Sequence, residues 1–600
     1  MRMEFYKKLD QIKQDSLQLE AYEANDSTVV LAGPGSGKTT ILTLKVMKLL
    51  SEKIQEPRGI ACVTYSKEAA REFKDRLTKL GIPSRKNIFL GTVHSFCLKE
   101  VIKPFAKLYP KYNIPYPVKL ISESKKNIIF NKLRKAKEID IDVLKMDRER
   151  TREIEGLSQI STEPNEVALE MADEYEREIE NEGFMDFISI VKYATKLIQN
   201  ESYVRACLEA KFPWIIIDEY QDLGKPLHEM ILSLITDTKM KYFAVGDPDQ
   251  SIYDFQGASP EYLVELGNLF SKHTIKLINN YRSAQPIINA SEIVLGETRN
   301  YISNGPLKDF PSKIDFVTCE REIFDQCEEI LKRIREDYAK GMPYHEMAIL
   351  CGNKYQISDV CDFLQENKID FYISKHPFDI SDVIKWLQKC AGWVIGQNIS
   401  FDEIFIFWKE LNANTELLVD EKIIKLKREL YLILLESKQF CENLHKWLNY
   451  IVDKLSINML LDELNTYPDE NQNIQKLKNS LNMSPYKEYN LLDFYNMSRP
   501  DNQVIVSTRH GSKGLEFDVT YMIGMEEGSF PYYNCNIIEE EESYRICFVC
   551  VSRARKKCIL LYSKIITLST KNGPWEKPCT PNRFWRMLSE QYKENKNENI

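Results

Sequence analysis

Residues 32–40 read Ala-Gly-Pro-Gly-Ser-Gly-Lys-Thr-Thr, and few folds can hold such a run. The β-type stretch Thr28–Leu31 precedes it and a helical pattern, Ile41–Leu50, follows. A glycine-rich turn between strand and helix points successive backbone N–H groups at a phosphate. The helix N-terminus adds partial positive charge. In this pattern Ala32, Gly33, Pro34, Gly35, Ser36 and Gly37 form the cradle, with Ala32 in place of the usual first glycine. Lys38 reaches the β- and γ-phosphates, Thr39 ligates Mg²⁺, and Thr40 completes the candidate nucleotide-binding run. The expected ligands are therefore a nucleoside triphosphate and Mg²⁺.

A second segment completes that chemistry. Trp214-Ile-Ile-Ile-Asp218-Glu219 is an apolar strand ending in two acids. Asp218 is expected at the Mg²⁺ shell and Glu219 at the attacking water. The acids lie much further from Lys38 than a minimal phosphate-loop domain needs, so a subdomain must be inserted between them. Gln250 closes another strand, where it can sense the γ-phosphate or orient water. Tyr253 and Phe255 follow on a turn, placed either to stack on unpaired bases or to pack in the core. Arg282 and Arg553 each sit near a strand–helix junction. Singly each reads as a surface residue; together they can supply the positive charge that phosphoryl transfer needs.

Other apolar runs, at Ile60–Val63, Tyr242–Val245, Met347–Leu350, Val504–Ser507, Thr520–Ile523 and Cys558–Tyr562, alternate with helical patterns. The fold class is α/β, with two parallel sheets covered by helices. Two charge-rich helical stretches interrupt the pattern, Tyr301–Lys313 reads as a linker, and 589–600 as a disordered tail. The net charge of −8 argues against a protein coated in positive charge, yet allows a local basic and aromatic groove. No run reaches the roughly 18 apolar residues of a membrane span. The fourteen cysteines are scattered, which fits buried thiols in a reducing cytoplasm better than disulfides. Cys547, Cys550 and Cys558 lack a matching pair for a metal site and read as core.

Taken in order, these segments resemble the UvrD/Rep family of superfamily 1 DNA helicases. Gln18 with Ala21 is similar to the Q motif, 32–39 to motif I, Thr64–Arg76 to motif Ia and Gly91–Cys97 to motif Ib. Asp218-Glu-Tyr-Gln-Asp222 resembles motif II, 245–258 motif III, Tyr281-Arg-Ser283 motif IV, His510–Phe517 motif V and Glu542–Ala554 motif VI.

The resemblance implies two RecA-like motor domains, 1A (1–97 and 211–278) and 2A (279–390 and 491–588). It implies helical insertions 1B (98–210) and a reduced 2B (391–490), with ATP hydrolysed between the motor domains. It implies that Tyr281 stacks on adenine, Gln18 bonds its edge and Glu516 contacts the ribose or phosphates. Arg282 and Arg553 become arginine fingers. Tyr65, Thr92, His94, Tyr253, Phe255, Thr508 and His510 line a single DNA strand. The implied activity is 3′–5′ translocation on single-stranded DNA and unwinding of 3′-tailed duplex.

Two departures stand out. Thr40 replaces the family's usual arginine, which relaxes base discrimination, and Gln256 replaces an arginine in motif III. The small 2B and short tail are also similar to accessory helicases of anti-phage systems, such as the helicase-like subunit of Gabija. That likeness gives the alternative expectation, an ATPase that licenses a partner nuclease.

Overall fold

The computed structural model describes every residue except 1, 65–66, 81–86, 153, 155, 161–163, 414–419, 464–468, 571–572 and 598–600. The chain divides into two compact units. The first comprises residues 1–121, 125–313 and 534–556; the second comprises 122–124, 314–533 and 557–600. Residues 279–313 and 534–556, expected in 2A, thus pack with the first unit.

The first unit holds a six-stranded sheet of β1 (Thr28–Ala32), β2 (Ile60–Thr64), β3 (Ile88–Thr92), β4 (Trp214–Ile217), β5 (Lys241–Gly246) and β6 (His273–Leu277). Its order is β3-β2-β4-β5-β1-β6, and every pairing is parallel. Val29, Val30 and Ile215–Ile217 are buried, as expected of strands covered on both faces. Because the strands are parallel, all six carboxyl ends meet at one edge, where open α/β sheets bind ligands. Along that edge β4, β5 and β1 are neighbours, so Asp218, Asp247 and the 33–37 loop are brought together.

The helical insertion between β3 and β4 has two parts. Residues 121–179 have their own core around Phe130, Met146, Met171 and Tyr175. The helices Phe187–Asn200 and Ser202–Lys211 instead share the sheet's core with Ile215 and Ile217. Between these parts the buried Arg150 donates to both oxygens of Asp186, at 2.6 and 2.9 Å, and to Glu176 and Asp147. A short pair, β7 (Asn279–Asn280) and β8 (Ile302–Ser303), ties residues 279–303 together. The 301–313 segment is therefore partly packed rather than a free linker, and Tyr301 is buried.

The second unit is built on β9 (Lys313–Arg321), β10 (Met347–Cys351), β11 (Phe371–Ile373), β12 (Val504–Thr508), β13 (Phe517–Met522), β14 (Ala554–Thr570) and β15 (Gly573–Pro578). The path is β11-β12-β10-β13-β14-β15, with β9 beside β14. The helices between β11 and β12 form one continuous core with this sheet, from Ile349 and Val506 to Trp447 and Leu477. On helix Asp420–Glu436, Leu430 and Leu434 are buried and Ile423, Leu426 and Ile433 partly so. The expected disordered tail differs as well: 589–597 continue the helix Arg583–Asn597, which Phe584 and Leu588 bury on one face. Cys547, Cys550 and Cys558 are fully buried. No helix among the described residues is long and apolar enough to cross a membrane.

Candidate nucleotide and nucleic-acid sites

The phosphate loop leaves β1 at Ala32 and enters helix Lys38–Lys48 at Gly37. Gly35 and Gly37 have φ of 68° and 83°, a region open to glycine at little cost. The loop is held from three sides. Gln18 Nε2 donates to the Ser36 carbonyl at 2.7 Å. Asn280 Nδ2 donates to the Pro34 carbonyl at 2.8 Å, and the Tyr281 N–H to the Gly35 carbonyl at 2.8 Å. The Tyr301 ring lies so close to Gly33 that a Cβ there would sit 2.4 Å from it.

Lys38 Nζ is buried without a hydrogen-bond partner. An unpaired ammonium is costly, and phosphate oxygens are the partners its position at a loop–helix junction fits. Its charge faces Asp218 and Asp247. Burial, with Glu219 beside it, pushes the Asp218 carboxyl up to about 7, while Lys38 and Arg76 pull it down. Burial likewise raises Asp247 to about 6, with Lys38 opposing. Thr39 begins the same helix. A hydroxyl and one carboxylate are what a protein offers Mg²⁺ when phosphates complete the shell, so the donors present fit that ion.

Glu219 takes a left-handed backbone, φ 52°, a strain of about 1–3 kcal/mol that clusters at functional sites. Gln221 sets the direction of its carboxylate. Gln221 Nε2 donates to Glu219 Oε2 at 2.6 Å, and Gln221 Oε1 accepts from the Asp247 N–H at 3.0 Å. Gln250 Nε2 donates to Asp247 Oδ2, and Gln250 Oε1 accepts from Arg553 Nη2 at 3.3 Å. Arg553 is buried and anchored by Nε on the Val549 carbonyl at 3.0 Å. Arg282 is half-buried, with its Cβ against Gly35. Asn280 Oδ1 accepts from the N–H groups of Arg282 and Ser283, which fixes that turn. The first unit by itself thus gathers Gln18, the 32–40 loop, Asp218, Glu219, Gln250, Tyr281, Arg282 and Arg553.

Several partners were not singled out in the sequence. Asp15 caps helix Ser16–Glu23 and also accepts from Tyr281 Oη at 2.7 Å and Asn279 Nδ2 at 2.9 Å. Burial alone would raise its carboxyl, but these donors hold it below the usual range. An Asp three residues before Gln18 was the only available signal, and it reads as an ordinary helix cap. Arg545 donates to Asp254 and, at 2.7 Å, to the Ser251 carbonyl, and Glu542 accepts from the Asp254 N–H at 3.2 Å. Helix Ile537–Ser552 thereby makes a polar link to the motif III turn.

The candidate strand-binding residues divide between the units. Thr92 ends β3, and its hydroxyl accepts from the Ser95 N–H at 3.2 Å. His94 sits edge-on to Phe187 at 5.5 Å, and burial lowers its imidazole to about 4 although Asp186 opposes this. Tyr253 is half-buried at the carboxyl edge. Tyr65 and the Phe255 side chain lie outside the described residues. The second unit holds Thr508, whose hydroxyl accepts from the Gly511 N–H at 2.9 Å. It also holds the half-buried His510 and the exposed Glu516.

A parallel sheet with a phosphate loop, an acid-ended neighbouring strand and a buried, unpaired lysine defines a phosphate-loop NTPase of the RecA-like type. Residues 14–271 match the UvrD/REP helicase N-terminal domain, and residues 412–565 the UvrD-like helicase C-terminal domain. The chain belongs to the UvrD/Rep family of superfamily 1 helicases. It is 25% identical over 646 residues to the ATP-dependent DNA helicase PcrA of Staphylococcus aureus, covering 96% of this chain and 86% of the relative. It is also 25% identical over 613 residues to the ATP-dependent DNA helicase Rep of Buchnera aphidicola, covering 90% of this chain and 93% of that protein.

Proposed function

We propose that this protein is an ATP-dependent DNA helicase that translocates 3′–5′ along single-stranded DNA. The observation that carries the reading is the continuous chain from Glu219 through Gln221, Asp247 and Gln250 to Arg553. It links the residue expected at the attacking water to the residue expected at the γ-phosphate. Lys38 and the loop amides bind the phosphates, while Thr39 and Asp218 hold Mg²⁺, which supplies charge neutralisation when bound. Glu219, aimed by Gln221, takes the proton of the attacking water. Arg282 and Arg553 stabilise charge on the transferred group. Gln18 and Tyr281 hold the base, the latter oriented by Asp15.

Each unit grips the strand through its own residues, Thr92, His94 and Tyr253 in the first and Thr508 and His510 in the second. Turnover alternates the two grips, and a duplex met by the leading edge is separated. The reading is supported by family membership, by relatives named as ATP-dependent DNA helicases, and by Thr92, Asp218 and Asp247 sharing one sheet edge. The test measures ATP hydrolysis with and without oligothymidylate, and unwinding of 3′- and 5′-tailed duplexes. Stimulated hydrolysis and unwinding of the 3′-tailed substrate alone are expected. Hydrolysis indifferent to DNA would refute the reading, and unwinding of only the 5′-tailed substrate would reverse its polarity.

A further inference from the structure

His228 lies outside every motif described above, yet it is fully buried on helix Lys225–Thr236. Its ring is engaged on three sides. Nδ1 is 2.7 Å from Tyr220 Oη, Nε2 is 2.8 Å from Glu265 Oε2, and the ring stacks on Tyr262 with centroids 4.8 Å apart. Burial lowers the imidazole to about 4, with Glu265 opposing, so the ring is neutral. A carboxylate only accepts, so Nε2 carries the hydrogen and Nδ1 accepts from the tyrosine. Tyr220 directly follows Glu219.

Glu265 carries the connection onward. It accepts from Ser158 Oγ and from the Gln159 N–H, both at 2.6 Å. Glu229, next to His228, accepts from the N–H groups of Leu157 and Ser158 at 2.7 and 3.0 Å. A Cβ on Gly156 would lie 1.8 Å from the Glu229 carboxylate, so the segment approaches that carboxylate closely. Upstream of it, helix Val143–Arg152 rests on the motif III turn, where a Cβ on Gly257 would lie 2.7 Å from Thr151 Oγ1. Two carboxylates and a desolvated imidazole devoted to one short segment are costly where apolar packing would serve stability as well.

We propose that His228 is a positioning residue that couples strand binding at the Tyr253 turn to the Glu219 turn, through the 156–159 segment and Glu265. The proposal rests on the strand-binding reading of that turn. A strand that moves the turn also moves the end of helix Val143–Arg152, and the relay passes the shift to the backbone beside Glu219. A separate bridge joins Gly224 to Ala258, so the motif II turn stays anchored to motif III when the relay is cut.

The test compares turnover with and without saturating oligothymidylate for the full chain and for His228→Phe, Ser158→Ala and their double variant. His228→Phe is expected to keep basal turnover within about twofold and to lose about fivefold or more of the stimulation. Ser158→Ala should lose less, and the double variant should be no worse than His228→Phe, as members of one chain are non-additive. Tyr220→Phe, which removes one hydroxyl at nearly constant volume, should lose stimulation in the same sense, and keeps the proposal testable should His228→Phe misfold. Equal loss of basal and stimulated turnover, retained stimulation, or additive effects would overturn it. If the unmodified chain shows no stimulation, the functional reading itself fails; stimulation intact in both relay variants sinks this inference alone.

Discussion

Lys38 and Gln221 carry the sharpest expectations at the scale of single residues. Lys38 Nζ is buried with no hydrogen-bond partner but faces Asp218 and Asp247, so Lys38→Ala removes the cation opposite both carboxyls. Hydrolysis should fall to background while the fold is kept; turnover near the parent's would contradict the phosphate-loop assignment. Gln221→Ala cuts the link between Glu219 and Asp247. Turnover should drop about a hundredfold, the scale of a misdirected general base, with little change in the Michaelis constant for ATP. Arg553→Lys should not restore what Arg553→Ala loses, because a point-charge ammonium cannot both bond Val549 and reach Gln250 as the guanidinium does. Lys38, Asp218, Glu219 and Gln250 were legible in the sequence because their chemistry is tied to short spacings beside strands. Asp15, His228 and Arg545 were not, because each acts through a partner far along the chain: Asp15 through Tyr281, His228 through Glu265, Arg545 through Asp254.

Among the elements, helix Ser16–Glu23 shows how local signals and tertiary contacts combine. Asp15 caps its start, and Lys45 Nζ donates to the carbonyls of Ala21, Tyr22 and Ala24 at its end. The helix is only 8 residues long, too short to persist alone, so these contacts, together with Gln18 on the Ser36 carbonyl, set its place beside the phosphate loop. Lys45→Met should therefore raise the Michaelis constant for ATP more than it lowers turnover, which steady-state kinetics reads directly; an unchanged constant would show that the loop holds itself. Eight strands were visible as apolar runs between turns. His273–Leu277 was not, since His273, Thr274 and Lys276 are exposed on an edge strand, and neither was Ile88–Thr92, which is half-buried along its whole length. Residues 589–597 looked like a disordered tail because they are almost wholly polar and charged, yet they continue a helix whose first turns bury Phe584 and Leu588.

The whole molecule carries its insertions differently in the two units. Phe130, Met146, Met171 and Tyr175 belong to a separate core, tied to the sheet's helices by the buried Arg150 with Asp186 and by the 157–159 backbone on Glu229 and Glu265, whereas the second unit's helices share one core with their sheet. Removing one partner of such a buried cluster costs about 3–5 kcal/mol. Arg150→Ala should accordingly lower the denaturant midpoint and expose the 121–179 region first to limited proteolysis. The composition of those segments announced helices but not their partition, because which core a helix joins is decided by contacts distant in sequence. The account as a whole stands on ATP-driven movement along a strand. Displacement of streptavidin from biotinylated oligonucleotides measures that movement most directly. With ATP, release should accelerate from a 5′-biotin and not from a 3′-biotin, and Lys38→Ala should abolish it. Brisk DNA-stimulated hydrolysis with no accelerated release from either end would contradict the motor.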